Sequence, residues 1–259
     1  MSKKLWGTRF SKKTSALTDK FTSSISFDKR LAKYDCLGSI AHAKMLGKQG
    51  IIPKADAASI VKGLKYILKD LETGRFKFDP SAEDIHSNIQ DALFKKIGKA
   101  AFRLHTALSR NDQIALDVKM YIKDELDNLT DSISELQKAI IRLAKKNSAV
   151  IIPGYTHLQV AQCVLLAHHL LSYVEGLERD KSRLLDAKKR ADSMPLGACA
   201  FSGTGLNIDR NFVAKELGFK SVTANSIDSV SDRDFIVEAL AGLAILSVHL
   251  SRMAEDLIL

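Results

Sequence analysis

Only three cysteines occur among the 259 residues, and their placement excludes two common architectures. Cys36, Cys163 and Cys199 are odd in number, far apart and set among apolar or small residues, so neither a disulfide framework nor a zinc site is expected. They read as reduced core thiols. Aromatics make up 7% of the chain, too few and too scattered to stack on bases. No stretch of about 18 uninterrupted apolar residues is present, and Met1 to Phe10 has lysines but no apolar h-region. Neither a membrane span nor a secretory signal is expected, and a soluble cytoplasmic protein follows. His168 and His169 are adjacent and cannot share a helix face, so they are not read as metal ligands, and no metal or other cofactor is expected.

What is present is ordinary globular chemistry: 46% hydrophobic and 27% charged residues, enough for one large or two modest cores. Lys and Arg number 39 against 30 Asp and Glu, a formal charge of +9. That excess favours an anionic substrate. It does not favour nucleic acid, because the basic residues are spread along helices rather than gathered in a run.

The apolar periodicity is helical throughout, and an all-α fold is expected. Residues 1–30 are irregular, with Trp6 to Phe10 as an anchored arm. Helices are expected from Leu31 to about Gly47, from Ala55 to Leu71, and from Glu83 to Ile97, the last stopped by Gly98. After Asp112 the scale changes. Ile114, Val118, Ile122, Leu126, Leu129, Ile133, Leu136, Ile140 and Leu143 form one stripe on a helix that runs to about Val150 before Pro153-Gly154, longer than about 50 Å at 1.5 Å per residue. Another long helix is expected from His157 to Ser193, stopped by Pro195, and a third from near Ser229 onward. The domains are placed at 1–111, an N-terminal helical domain, and 112–259, an elongated bundle of long helices that is incomplete at its C-terminus. Such stripes imply a core finished by oligomerisation. No internal repeat is found.

Chemistry concentrates in polar clusters at helix ends: residues 83–86, 104–113, 153–159 and 226–235. Arg110 offers a rigid fork of donors suited to a carboxylate, Asn111 both donates and accepts, and Asp112 can cap the following helix. His157 follows a Pro-Gly turn, where an imidazole can exchange a proton near neutral pH while Thr156 hydrogen-bonds substrate. Taken alone, His157 fits a capping or core role better than a catalytic one, and His86 carries a similar ambiguity.

His105-Thr106 with Ser109-Arg110-Asn111-Asp112-Gln113, then Pro153-Gly154-Tyr155-Thr156-His157-Leu158-Gln159, Met194-Pro195-Leu196-Gly197 and Val230-Ser231-Asp232-Arg233-Asp234-Phe235 resemble argininosuccinate lyase, of the aspartase and fumarase superfamily. Leu5-Trp6-Gly7 and Ser24-Ile25-Ser26-Phe27-Asp28 fit as well. The resemblance implies a helical N-terminal domain, a central bundle assembling into a homotetramer with active sites shared between subunits, and cleavage of argininosuccinate to arginine and fumarate, a step of arginine biosynthesis and the urea cycle. That elimination removes a weakly acidic proton beside a carboxylate and expels a guanidinium nitrogen, and it demands no cofactor. The resemblance further implies that His157 is the acid/base group and Thr156 its catalytic neighbour. Ser24, Asp28, His86, Arg110, Asn111 and Gln159 would bind substrate, with Arg110 on a carboxylate.

Four departures stand out. Leu108 and Val160 occupy positions where the family usually has arginine, Cys163 replaces a proline, and Gln90 replaces a common glutamate. Altered affinity is expected from the two lost arginines, and altered helix packing from Cys163. The pattern at 250–259 stops without a helix-ending signal, so a truncated chain is expected. The family's Ser-Ser-x-Met-x-x-Lys-x-Asn loop, with its catalytic serine and lysine, is not among the 259 residues, and the chain alone is expected to be inactive. A lyase for another succinyl adduct such as adenylosuccinate, and a non-catalytic structural or pseudo-enzyme homologue, are the alternatives.

Overall fold

The structure, a computed structural model, describes residues 14–258. The expected arm at Trp6 to Phe10 and the Leu5-Trp6-Gly7 motif lie outside the described residues. The fold is all-α in class: α1 (Ala16–Thr22), α2 (Ile25–Asp28), α3 (Ala32–Lys48), α4 (Lys54–Glu72), α5 (Ile85–Ile97), α6 (Arg110–Lys146), α7 (Leu166–Ala191), α8 (Arg210–Glu216), α9 (Ser226–Ser231) and α10 (Asp234–Ile258). Short 3-10 turns occupy Lys29–Leu31 and Gly98–His105. Two strands, β1 (Ile151–Thr156) and β2 (Gln159–Leu165), pair antiparallel, while β3 (Ser193–Met194) and β4 (Ser221–Val222) form a minimal parallel pair.

Two compact units result, and they are interleaved in sequence. Among the described residues, one comprises 14–121 and 193–232, the other 122–192 and 233–258. The division therefore falls inside α6 rather than at its start. The reason that 193–232 joins the first unit is apolar: Met194, Leu196, Val213, Ala214 and Phe219 are buried in the same core as α3, α4 and α5.

In the first unit, Cys36, Ala43, Met45 and Leu46 of α3 pack with Ile60, Leu64 and Ile67 of α4 and Ile85, Ile89 and Leu93 of α5. The helices approach closely at glycines. A Cβ on Gly47 would lie 2.6 Å from the Ala57 methyl, and one on Gly63 would lie 2.6 Å from Leu93 Cδ1. Helix α5 begins where Asp84 accepts a hydrogen bond from the Ser87 amide at 2.7 Å, an N-cap that fixes the residues just beyond it.

In the second unit the buried residues recur every seventh position: Leu126, Ile133 and Ile140 on α6, Leu170, Leu177 and Leu184 on α7, and Ala239 and Leu246 on α10. That spacing is the seam of helices packed nearly parallel or antiparallel. Leu143, the last of the expected stripe, is exposed. Polar contacts also link these helices: His249 Nδ1 lies 2.6 Å from the buried Asp180 carboxylate, and the buried Gln137 donates to the Val174 carbonyl at 3.1 Å. Helix α10 is long and apolar enough to span a membrane by length and composition, with a window of mean hydropathy 1.6.

Two of the expected helices need correction. The helix expected from His157 to Ser193 begins only at Leu166, because residues 151–165 form the β1–β2 hairpin. His157 and Leu158 are its two-residue turn, with φ of 49° and 61°, a left-handed pair whose twist matches the strands. The helix expected from Ser229 is broken in two, since Asp232 turns extended (φ −58°, ψ 126°) between α9 and α10.

Candidate functional site

In the first unit the expected substrate residues gather about the N-terminus of α5. The Ser24 hydroxyl donates to Asp28 Oδ2 at 2.6 Å, and the same oxygen accepts the Ile85 amide at 3.2 Å. Asp28 Oδ1 is buried without a hydrogen-bond partner. Beside it, Arg110 Nε meets Asp84 Oδ2 at 3.0 Å, while another guanidinium nitrogen donates to Gln113 Oε1 at 2.8 Å. Gln113 in turn donates to Asp35. Burial works against a charge on Asp84, yet Arg110 and the Ser87 amide hold its carboxyl below the ordinary range. Arg110 is thus held in a fixed pose by two partners, as a planar fork permits.

Asn111 is exposed, and its amide nitrogen donates to the Ala200 carbonyl at 2.8 Å. Asp112 does not act as the N-cap of α6, which begins two residues earlier. One of its oxygens accepts the Ser109 amide at 2.9 Å, and the other accepts the amides of Gly197 and Cys199 at 3.1 and 2.8 Å. The Met194 to Gly197 motif is thereby tied to the start of α6. Arg210 closes the same loop from beyond, donating to the carbonyls of Leu196 and Thr223 at 2.8 and 2.9 Å.

His86, expected to line the site, is 3% exposed and faces inward. Its Nδ1 lies 3.1 Å from Asp35 Oδ1 and 3.7 Å from Asp117 Oδ2, both carboxylates being buried as well. Sequence reasoning missed Asp35 and Asp117. They lie on α3 and α6 while His86 lies on α5, so no local spacing announces the trio. A polar residue on the apolar face of a helix was the available signal.

Thr156, His157 and Gln159 belong to the second unit. Thr156 and Gln159 are paired across the turn, with His157 at its tip, and all three are exposed. Gly154 permits the close approach of the strands, since a Cβ there would lie 2.7 Å from the Gln162 carbonyl oxygen. Nearly every residue of this hairpin is exposed, Tyr155, Leu158 and Val160 among them. Cys163, expected in a core, is exposed on β2, because that stretch is strand rather than packed helix. Of the other departures, Leu108 packs against the first unit's core, and Gln90 bonds His105 at 2.9 Å.

Each unit thus carries functional groups of its own: a guanidinium fixed beside a helix N-terminus in the first, a donor set suited to carboxylates, and an exposed imidazole on a left-handed turn in the second, a group able to exchange protons. Residues 8–259 match the family described as Lyase, and the chain belongs to that family. Within it, the chain is 54% identical over 256 residues to argininosuccinate lyase of Pelotomaculum thermopropionicum, a match covering 99% of this chain and 56% of that relative. It is 56% identical over 260 residues to argininosuccinate lyase of Citrifermentans bemidjiense, covering 57% of that protein. The chain therefore spans little more than half the length of these curated relatives. A solved EDDS lyase variant with bound fumarate superposes with a TM-score of 0.78 at 28% identity, covering 88% of this chain and 45% of that one.

Proposed function

We propose that this chain is the larger part of an argininosuccinate lyase subunit, cleaving argininosuccinate to arginine and fumarate when completed. The identity of 54% across almost the whole chain carries the proposal. Arg110, held by Asp84 and Gln113, grips a substrate carboxylate, with Ser24, Asp28 and Asn111 around it. His157 is the acid/base group, with Thr156 and Gln159 beside it. Removing the proton next to a carboxylate builds negative charge on that carboxylate, so a fixed guanidinium favours the transition state more than the ground state. His86, buried behind this surface, supports the site from within.

The working form is a cytoplasmic homotetramer, with each site assembled from several subunits. Two features favour assembly. A two-stranded hairpin exposed on both faces is marginal by itself and gains from a partner. Helix α10 also leaves Val237, Leu240, Val248 and Ile258 exposed, an apolar face that suits a neighbouring helix. Alone, the 259 residues lack the family's serine loop and are proposed to be inactive. Fusing the C-terminal remainder of the Pelotomaculum relative and following fumarate absorbance from argininosuccinate tests the proposal; growth without added arginine of an auxotroph carrying this fusion gives a second readout. No turnover by a folded tetrameric fusion overturns it.

One observation favours a second reading, a carbon–nitrogen lyase for another amine adduct of fumarate. Leu108 is apolar and packs against the core where the resembling family usually has arginine. A substrate panel that includes adenylosuccinate and other aminosuccinates separates the two.

A further inference from the structure

We propose that Asp35, His86 and Asp117 form a binding site for one divalent cation of the borderline transition class, with Mn2+, Co2+ and Zn2+ as the candidates. The three side chains come from α3, α5 and α6 of the first unit, and their ligating atoms all lie within 4.8 Å of one another. Two donors bound about 2.1 Å from one ion at tetrahedral or octahedral angles sit about 3.0–3.4 Å apart. The His86 Nδ1 to Asp35 distance of 3.1 Å falls inside that range, and the 3.7 Å to Asp117 lies just outside.

Hydrogen bonding does not explain the cluster. His86 Nδ1 has no hydrogen-bond partner even though Asp35 Oδ1 is 3.1 Å away, so the ring nitrogen is not aimed along that line. Asp117, at 3.7 Å, is beyond hydrogen-bond reach, and both of its oxygens are buried without a partner. A buried carboxylate in this condition is strongly disfavoured. Burial and the neighbouring Asp35 push the Asp117 carboxyl well above its ordinary range. Water cannot satisfy it, because the adjoining crevice, bordered by Asp35, Ser39, His42, Gln113 and Asp117, has no room for a water molecule. A bare cation is smaller than water and needs only the space between the three side chains.

The donor set selects the cation. Asp117 presents two free oxygens for chelation, and with one Asp35 oxygen and one imidazole nitrogen this makes four donors. Mixed nitrogen and oxygen ligands suit Mn2+, Co2+ or Zn2+. Mg2+ and Ca2+ require more oxygens, usually including waters, for which the crevice has no space. With neutral imidazole the two carboxylates carry two negative charges, which one divalent cation balances. The ion would join three helices directly beneath the Arg110 network, because Gln113 bonds both Arg110 and Asp35.

The test needs no catalysis, so it stands apart from the proposed reaction. The tag-free chain is stripped with chelator, dialysed and titrated with Mn2+, Co2+ or Zn2+ while stoichiometry, thermal unfolding and the Mn2+ electron-spin spectrum are followed. Expected are about one ion per chain, nitrogen hyperfine coupling from a single imidazole, and a rise in Tm of about 5–10 °C at a hundredfold excess over Kd. Asp117→Asn and His86→Gln each abolish the rise. If either variant fails to fold, the coupling on the unaltered chain decides. Absence of binding by the folded chain overturns the proposal. Binding that survives in folded Asp117→Asn and His86→Gln variants, or that lacks nitrogen coupling, overturns it too.

Discussion

Asp112 Oδ2 accepts the backbone amide of Cys199 at 2.8 Å, tying the first turn of the 37-residue helix α6 to the loop that follows β3. The same oxygen takes the Gly197 amide, and Cys199 is held at a positive φ of 54°. A carboxylate can accept from two amides on one oxygen and a third on the other. Asn offers a single acceptor. Asp112→Asn is therefore expected to lower stability by about 1–3 kcal/mol. Amide exchange at Gly197 and Cys199 should quicken more than exchange elsewhere in that unit, and unchanged exchange there contradicts the anchoring role.

Two buried groups should oppose one another in acid. Burial brings His42 down to about 4 from 6.5, despite its hydrogen bond to the Thr106 carbonyl at 2.8 Å. The unfolded chain takes this proton from about pH 6.5 downward, whereas the folded chain resists until about pH 4. Stability carried by neutral His42 is thus full above pH 6.5 and lost, by up to about 3 kcal/mol, as pH falls to 4. Asp112 is pushed up to about 6 by burial, partly offset by the amides of Ser109, Cys199 and Gly197. Its folded form takes a proton first, so stability rises as pH falls through 6 toward the ordinary 3.8. The unaltered chain should show a shallow dependence between these limits. His42→Gln should leave a gain on acidification and Asp112→Asn a loss, and urea midpoints at pH 4.5 and 7 distinguish them from three parallel profiles.

Packing of α3 on α4 depends on Gly47. An added methyl would lie 2.6 Å from the Ala57 Cβ, and neither group can rotate away. Gly47→Ala should destabilise by about 1–3 kcal/mol, because separating the helices outweighs the better helix propensity of alanine. Denaturant unfolding checks this, and a neutral or stabilising result would mean that the two helices are not packed so closely.

Arg110 illustrates why its position cannot be filled by lysine. It spans Asp84 and Gln113 from separate guanidinium nitrogens, which a single ammonium on a flexible stem cannot do in the same pose. In the C-terminally completed fusion, Arg110→Lys should weaken carboxylate binding by about 1–2 kcal/mol, read as roughly a tenfold rise in KM. An unchanged KM would remove Arg110 from substrate binding.

The long helices were legible because their apolar residues repeat on one face. The expected span from Ala55 to Leu71 is observed as Lys54–Glu72, and that from Glu83 to Ile97 as Ile85–Ile97. The hairpin was not. Pro153-Gly154 resembles a helix stop, Val160 and Val164 continue the apolar spacing of α7, and the turn is made by His157 and Leu158 rather than the glycine or asparagine that usually announces one. The interleaving of the two units was hidden for another reason. It depends on Met194, Leu196 and Phe219 entering a core built far earlier in the chain. The candidate site residues were read from motifs. The partners that orient them, Asp84 on Arg110 and Asp112 on the 197–199 loop, emerge only from the folded chain.

The most direct measurement is fumarate formation from argininosuccinate by the completed fusion, with His157 intact and as His157→Gly. Glycine adopts the left-handed turn more readily than histidine, so the hairpin should be retained or strengthened while the acid/base group is removed. The expected result is turnover by the fusion and a kcat lower by about 10²–10⁴-fold in the variant, at unchanged thermal stability. Equal kcat values for the two proteins would contradict the role of His157 at the tip of the hairpin.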